Sequence, residues 1–92
     1  MLIFSKDRDL LIDTTGAALF ATEKRITTDN WKACISAHFG ESEVIVAYCG
    51  TLSDARELLG SIARHAADGM GFITILGGII SDARREAVQY GL

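Results

Sequence analysis

Apolar and polar residues alternate along this chain with two distinct periods, and the switch between them predicts most of its elements. Ile3-Phe4-Ser5 and Leu10-Leu11-Ile12 are short β-forming runs on either side of the charged Lys6-Asp7-Arg8-Asp9, which predicts a hairpin with a solvent-facing turn. Asp13-Thr14-Thr15-Gly16 is the next turn signal, because Asp and Thr bond their own backbone and Gly accepts a positive φ. Ala17 to Thr22 is apolar enough for another short strand. From Trp31 to Phe39, period two places Trp31, Ala33, Ile35, Ala37 and Phe39 on one face, with Lys32, Cys34, Ser36 and His38 on the other. A helix capped by Thr28 or Asp29 and closed by Gly40 is the alternative. Helical spacing leaves Ala33 and Phe39 off the Trp31–Ile35 stripe, so strand is preferred. A turn from Gly40 to Glu43 then leads into the β-branched run Val44 to Cys49.

Beyond Gly50 the period lengthens. Ala55, Leu58, Leu59, Ile62, Ala63 and Ala66 form one stripe at helical spacing, while Arg56, Glu57, Arg64 and His65 fall outside it. Ser53 is placed as the N-cap, Asp54 meets the positive end of the helix dipole, and Asp68-Gly69 supplies the closing signal. Phe72 to Leu76 reads as a strand ended by Gly77-Gly78, and Ser81-Asp82 can open a short second helix carrying Ala83, Ala87 and Val88. Ser-Asp-Ala-Arg occurs at 53–56 and again at 81–84, an echo that shared helix-capping chemistry accounts for without a duplicated domain. The expected architecture is one α+β domain over residues 1–92. It has an antiparallel sheet of about four to six strands packed on one long amphipathic helix, with a short C-terminal helix.

Composition narrows the class. With 92 residues, 49% of them apolar and 23% charged, the chain suffices for one core and leaves much apolar surface outside it, so self-association is expected to matter. A formal charge of −3 does not provide the positive field that phosphate backbones reward, which makes nucleic acid an unlikely partner. Charge arrives within a few residues of Met1, no apolar run approaches the roughly 20 residues of a membrane span, and Cys34 and Cys49 fit two reduced, buried thiols. A cytoplasmic protein is the expectation.

Met1, Ile3, Ser5 and Asp7 fit an opening hairpin of the form Met-x-Ile-x-Ser-x-Asp, and Tyr48, Gly50, Thr51, Ala55, Leu58, Leu59 and Ile62 fit a strand, cap and amphipathic helix. On these residues the chain resembles a group of small, mostly uncharacterised proteins of Gram-positive bacteria and their phages over residues 1–72. The resemblance implies a sheet packed on one helix and hints at a mobile-element origin. It transfers no catalytic residue. Gly77-Gly78-Ile79-Ile80 and the final helix exceed the pattern.

Candidate chemistry is sparse. Cys34 and His38 share a strand face, but four residues of strand separate them by roughly 13 Å, and only the helical alternative would make them neighbours. Cys49 with His65 requires a tertiary contact. Neither the histidines nor the cysteines have spacing that pre-arranges a metal site, and Asp7 with Asp9, or Glu41 with Glu43, sit in expected turns. No catalytic residue and no cofactor are assigned. Gly77, Gly78, Ser81 and Arg84 form a candidate ligand turn, because glycines between a strand and a helix let amides approach a phosphate. A P-loop lysine is missing, and a turn requiring positive φ explains the same glycines. Ile79, Ile80 and Val88 are the candidate partner contacts, with covering the chain's own sheet as the competing role. The reading favoured is a binding module with a protein partner or self-association, and the alternative is a small-ligand or nucleotide-binding protein using the Gly77-Gly78 turn.

Overall fold

The computed structural model describes residues 1–81. In chain order these form β1 (Leu2–Ser5), a 3-10 helix (Lys6–Arg8), β2 (Leu10–Asp13), β3 (Ala18–Thr27), β4 (Asn30–Phe39), β5 (Ser42–Cys49), α1 (Leu52–Ala67), β6 (Phe72–Leu76) and β7 (Ile79–Ile80). The expected second helix, with Arg84 and Val88, lies outside the described residues.

The single antiparallel sheet is replaced by two sheets. One has four strands in the order β2-β1-β6-β7, the other three in the order β3-β4-β5. Every pairing is antiparallel except β1 with β6, which run parallel with Leu2 beside Phe72 and Ser5 beside Ile75. α1 is the crossover element that allows this, since a parallel pair needs a long connection to bring the chain back to the same end.

Local chemistry places the elements as their residues suggest. Asp9 takes the left-handed conformation at φ 50° and lets the chain reverse after the 3-10 helix. Thr14 then ties the end of β2 to the N-terminus, donating from both its amide and its hydroxyl to the Met1 carbonyl at 2.9 Å. Residues 31–39 lie in a strand, and it pairs on both sides. An irregularity between Ile35 and Ser36 skips Val46 on β5, and Val46 is fully buried there.

α1 starts two residues earlier than Ser53 capping requires. Thr51 is the N-cap, in extended conformation, and its hydroxyl accepts from the Asp54 amide at 3.0 Å. Ala55, Leu58 and Ile62 are buried and Leu59 is half-buried, whereas Ala63 and Ala66, expected in the same stripe, are exposed. Alanine is the best helix former and adds little apolar area, so its place in a stripe does not force burial.

One core joins the layers. Ile3, Ile12, Ile73 and Ile75 from the four-stranded sheet meet Ile35, Ala37, Val46 and Ala47 from the other sheet and Ala55, Leu58 and Ile62 from α1. Burying each isoleucine or leucine stabilises the fold by about 1.5–3 kcal/mol. Among the described residues, the Ser5 and Thr74 hydroxyls are enclosed without a hydrogen-bond partner, an arrangement that costs about 1–3 kcal/mol per group.

Candidate functional site

Gly77 and Gly78 link β6 to β7, and both need positive φ, at 61° and 76°. Two such residues make the mirror-image turn whose twist suits a tight hairpin. The hairpin and α1 enclose a cleft of about 410 Å³ whose lining includes Cys49, Asp54, Glu57, Ser61, His65, both glycines and Ile79 and Ile80. The ligand turn and the partner isoleucines of the sequence reading thus meet in one place. Their surroundings are acidic: among the described residues Asp54 and Glu57 line the cleft and no lysine or arginine does.

Three details define what the cleft can do. The Gly77 amide already donates to the Asp7 carboxylate at 2.7 Å, so an acidic side chain of the protein occupies the position an incoming anion would seek. Ser81 donates to the Thr74 carbonyl from its amide at 3.0 Å and from its hydroxyl at 3.4 Å, which ends β7 and turns Ser81 towards β6. Arg84 lies outside the described residues. His65 donates from Nδ1 to the Ser61 carbonyl at 2.7 Å, leaving Nε2 as the acceptor in the neutral ring.

Cys49 and His65 line the same cleft without forming a nucleophile–base pair. Cys49 sits at the Asp54 end, where a Cβ added to Gly50 would meet the Asp54 carboxylate at 3.3 Å and one added to Gly78 would meet the Cys49 sulfur at 3.6 Å. His65 lies three helical turns further along α1, about 16 Å at 1.5 Å per residue. Burial, and then the Asp54 charge, push the Cys49 thiol above its ordinary pKa. Cys34 is likewise raised by burial, with Glu43 adding and Lys24 and Arg8 opposing. Reactive cysteines are shifted the other way. Cys34 and His38 fall on one face of β4, at the separation the strand reading gave. No cluster of three or more His, Cys, Asp or Glu residues is placed to hold a metal among the described residues. No helix among them is long and apolar enough to cross a membrane.

Strand alternation splits the isoleucine pair. Ile80 pairs with Ile75 and packs against the core, while Ile79 pairs with Leu76 on the opposite face. Leu11 reaches that same face through its pairing with Phe4, which sits beside Thr74 in the parallel register. That face of the four-stranded sheet therefore carries Leu11 at the β2 edge and Leu76 and Ile79 at the β6–β7 edge, at 56%, 47% and 69% exposure, with Phe72 and Thr74 buried on the same face.

The outer face of the three-stranded sheet is a group that period two alone does not reveal, because it needs the register. Phe20 and Lys24 on β3, Lys32 and His38 on β4, and Glu43 and Tyr48 on β5 share it. The Phe20 and His38 rings meet edge to face at 4.9 Å. Glu43 bridges Lys24 at 2.7 Å and His38 at 3.7 Å. Its hydrogen bond from Lys24 holds Glu43 below the ordinary carboxylate pKa. Lys32 lies over the Tyr48 ring, and Arg8 reaches the same ring from the 3-10 helix.

No family, curated protein or solved structure matches the chain. Its function is argued from these surfaces.

Proposed function

We propose that the protein is a non-enzymatic binding module that works in the cytoplasm by protein–protein contact, either with its own copies or with a protein partner. What supports this reading is the exposure of large apolar side chains at both edges of the four-stranded sheet, Leu11 on β2 and the Leu76–Ile79 pair on β6 and β7, each about half exposed or more. Large apolar side chains left exposed at a sheet's edges favour association over solvent. A helix expected from the sequence beyond the described residues, with Val88, belongs to the proposal as a completion of the core or of the contact, and so does a mobile-element origin. The raised thiols and the separation of Cys49 from His65 weigh against thiol catalysis.

Ile79→Asp tests it, because Ile79 points away from the core. The wild type is expected to run above monomer mass in sedimentation analysis, or to retain a protein from its native host. The variant is expected to lose that behaviour with an unchanged circular dichroism spectrum. A wild type that is monomeric and retains no partner overturns the proposal, as does association indifferent to Ile79→Asp and Leu11→Asp. The cleft keeps a small-ligand reading in view. Native mass measurement showing a bound small molecule that Gly77→Val releases would replace the proposal with that one.

A further inference from the structure

We infer that the outer face of the three-stranded sheet is a second docking surface, one that takes an extended acidic segment of a partner protein. The inference rests on the binding-module reading but uses a different face and different variants, so the two fail separately.

The chain has nine Lys and Arg against twelve Asp and Glu, so two cations gathered about one ring run against its overall balance. Arg8 and Lys32 lie 5.2 and 5.1 Å from the centre of the Tyr48 ring. Among the described residues neither has a carboxylate within ion-pair distance. They border an open concavity of about 480 Å³ whose one acidic member, Asp7, is committed to the Gly77 amide. A partner carboxylate entering there would gain charge-assisted hydrogen bonds from two cations that have no counter-ion among the described residues.

A second concavity, of about 320 Å³, lies on the same face beside Phe20, which is 48% exposed. Here Lys24 is neutralised by Glu43, so the exposed ring and not charge is what it offers. Tyr48 and Phe20 are two strands and one residue pair apart in the register, about 12 Å at ordinary strand spacings. An extended peptide covers that distance in about four residues. The chemistry points to a segment with an acidic residue at one station and an aromatic or aliphatic one about four positions on. A single-stranded nucleic acid fits less well. The two cations over Tyr48 stand where a base would stack.

The probe is a fluorescein-labelled peptide rich in Glu and Phe, followed by anisotropy with the whole chain, beside a labelled oligo(dT). Binding of the peptide is expected to weaken about tenfold between roughly 50 and 300 mM salt. It is also expected to weaken about tenfold or more in the double variant Arg8→Gln, Lys32→Gln, with little change in the control Arg56→Gln on exposed α1 surface. Phe20→Ala, outside the charged station, is expected to weaken it several-fold without altering the salt dependence. Absence of peptide binding, an equal loss in the Arg56→Gln control, or tighter binding of oligo(dT) than of the peptide would each overturn the inference.

Discussion

Removing one hydroxyl should separate the observed start of α1 from the start its sequence suggests. Thr51 holds the N-cap position with φ −138° and ψ 164°, and its oxygen accepts from Asp54 N at 3.0 Å. In Thr51→Ala that amide turns to water, since the site is exposed, so the cost is the ordinary cap loss of about 1 kcal/mol. For a domain of this size that corresponds to a fall in Tm of about 4–8 °C. Ser53 is already inside the helix and exposed, and replacing it with alanine trades a modest helix former for the best one. Ser53→Ala should therefore leave stability within about 0.5 kcal/mol of wild type, or raise it. Thr51→Ser keeps the acceptor and should retain most of the stability. Urea unfolding followed at 222 nm reads all three variants on one scale. A larger loss in Ser53→Ala than in Thr51→Ala would refute the cap assignment and move the helix start.

Four further outcomes follow from particular contacts. The Glu43 pKa is lowered in the folded protein, so its contribution to stability is present above the unfolded carboxylate pKa and fades as pH falls through the lower, folded value; Glu43→Gln should flatten that acid limb in pH-dependent unfolding, and an unchanged slope would contradict the Lys24 contact. Cys34 and Cys49 are buried with raised pKa values, so a thiol reagent near pH 8 should label them slowly in the native state and rapidly in guanidinium, and fast native labelling would count against both placements. Thr74→Val removes an enclosed hydroxyl that lacks a partner and keeps the shape, so the midpoint of unfolding should rise by the equivalent of about 1 kcal/mol; a loss would mean the hydroxyl is hydrogen-bonded after all. Gly77→Val forces a β-branched residue to φ near 61° and should cost about 1–2 kcal/mol or more, with Gly77→Asn distinctly milder, and equal costs would argue against the left-handed turn.

Which parts of this architecture are legible in the sequence depends on the range of the interaction that decides them. Residues 31–39 and α1 show their type because alternation and helical spacing are local properties, and Asp68-Gly69 marks the helix end because Gly69 does take a positive φ of 79°. Trp31 belongs to the core-facing row by alternation yet is 56% exposed. The first residue of β4 with a β5 partner is Ala33, opposite Cys49, so Trp31 overhangs the sheet with only β3 beside it. The converse holds for Cys34, expected on the outer face and fully buried there. It is a small residue in a row between Thr22 and Tyr48, with Lys24, Glu43 and Arg8 close enough to act on its thiol. The parallel β1–β6 pairing and the grouping of Arg8, Lys32 and Tyr48 leave no local trace, because both join segments separated by much of the chain. Gly77 and Gly78 are legible as a turn, while the acidic lining opposite them depends on where α1 comes to rest.

The β1–β6 ladder has a consequence for biosynthesis. Strands β3, β4 and β5 are neighbours in sequence and can pair as soon as they leave the ribosome, but β1 receives its central partner only after Phe72–Leu76 has emerged. Until then the edge of β1 that will meet β6 stays open, and Ile3 lacks Ile73 at its side. Assembly should therefore be two-tempo, with an early local meander and a late closure that joins the ends of the described chain, and the nascent protein is most vulnerable to adventitious strand pairing in the interval between them.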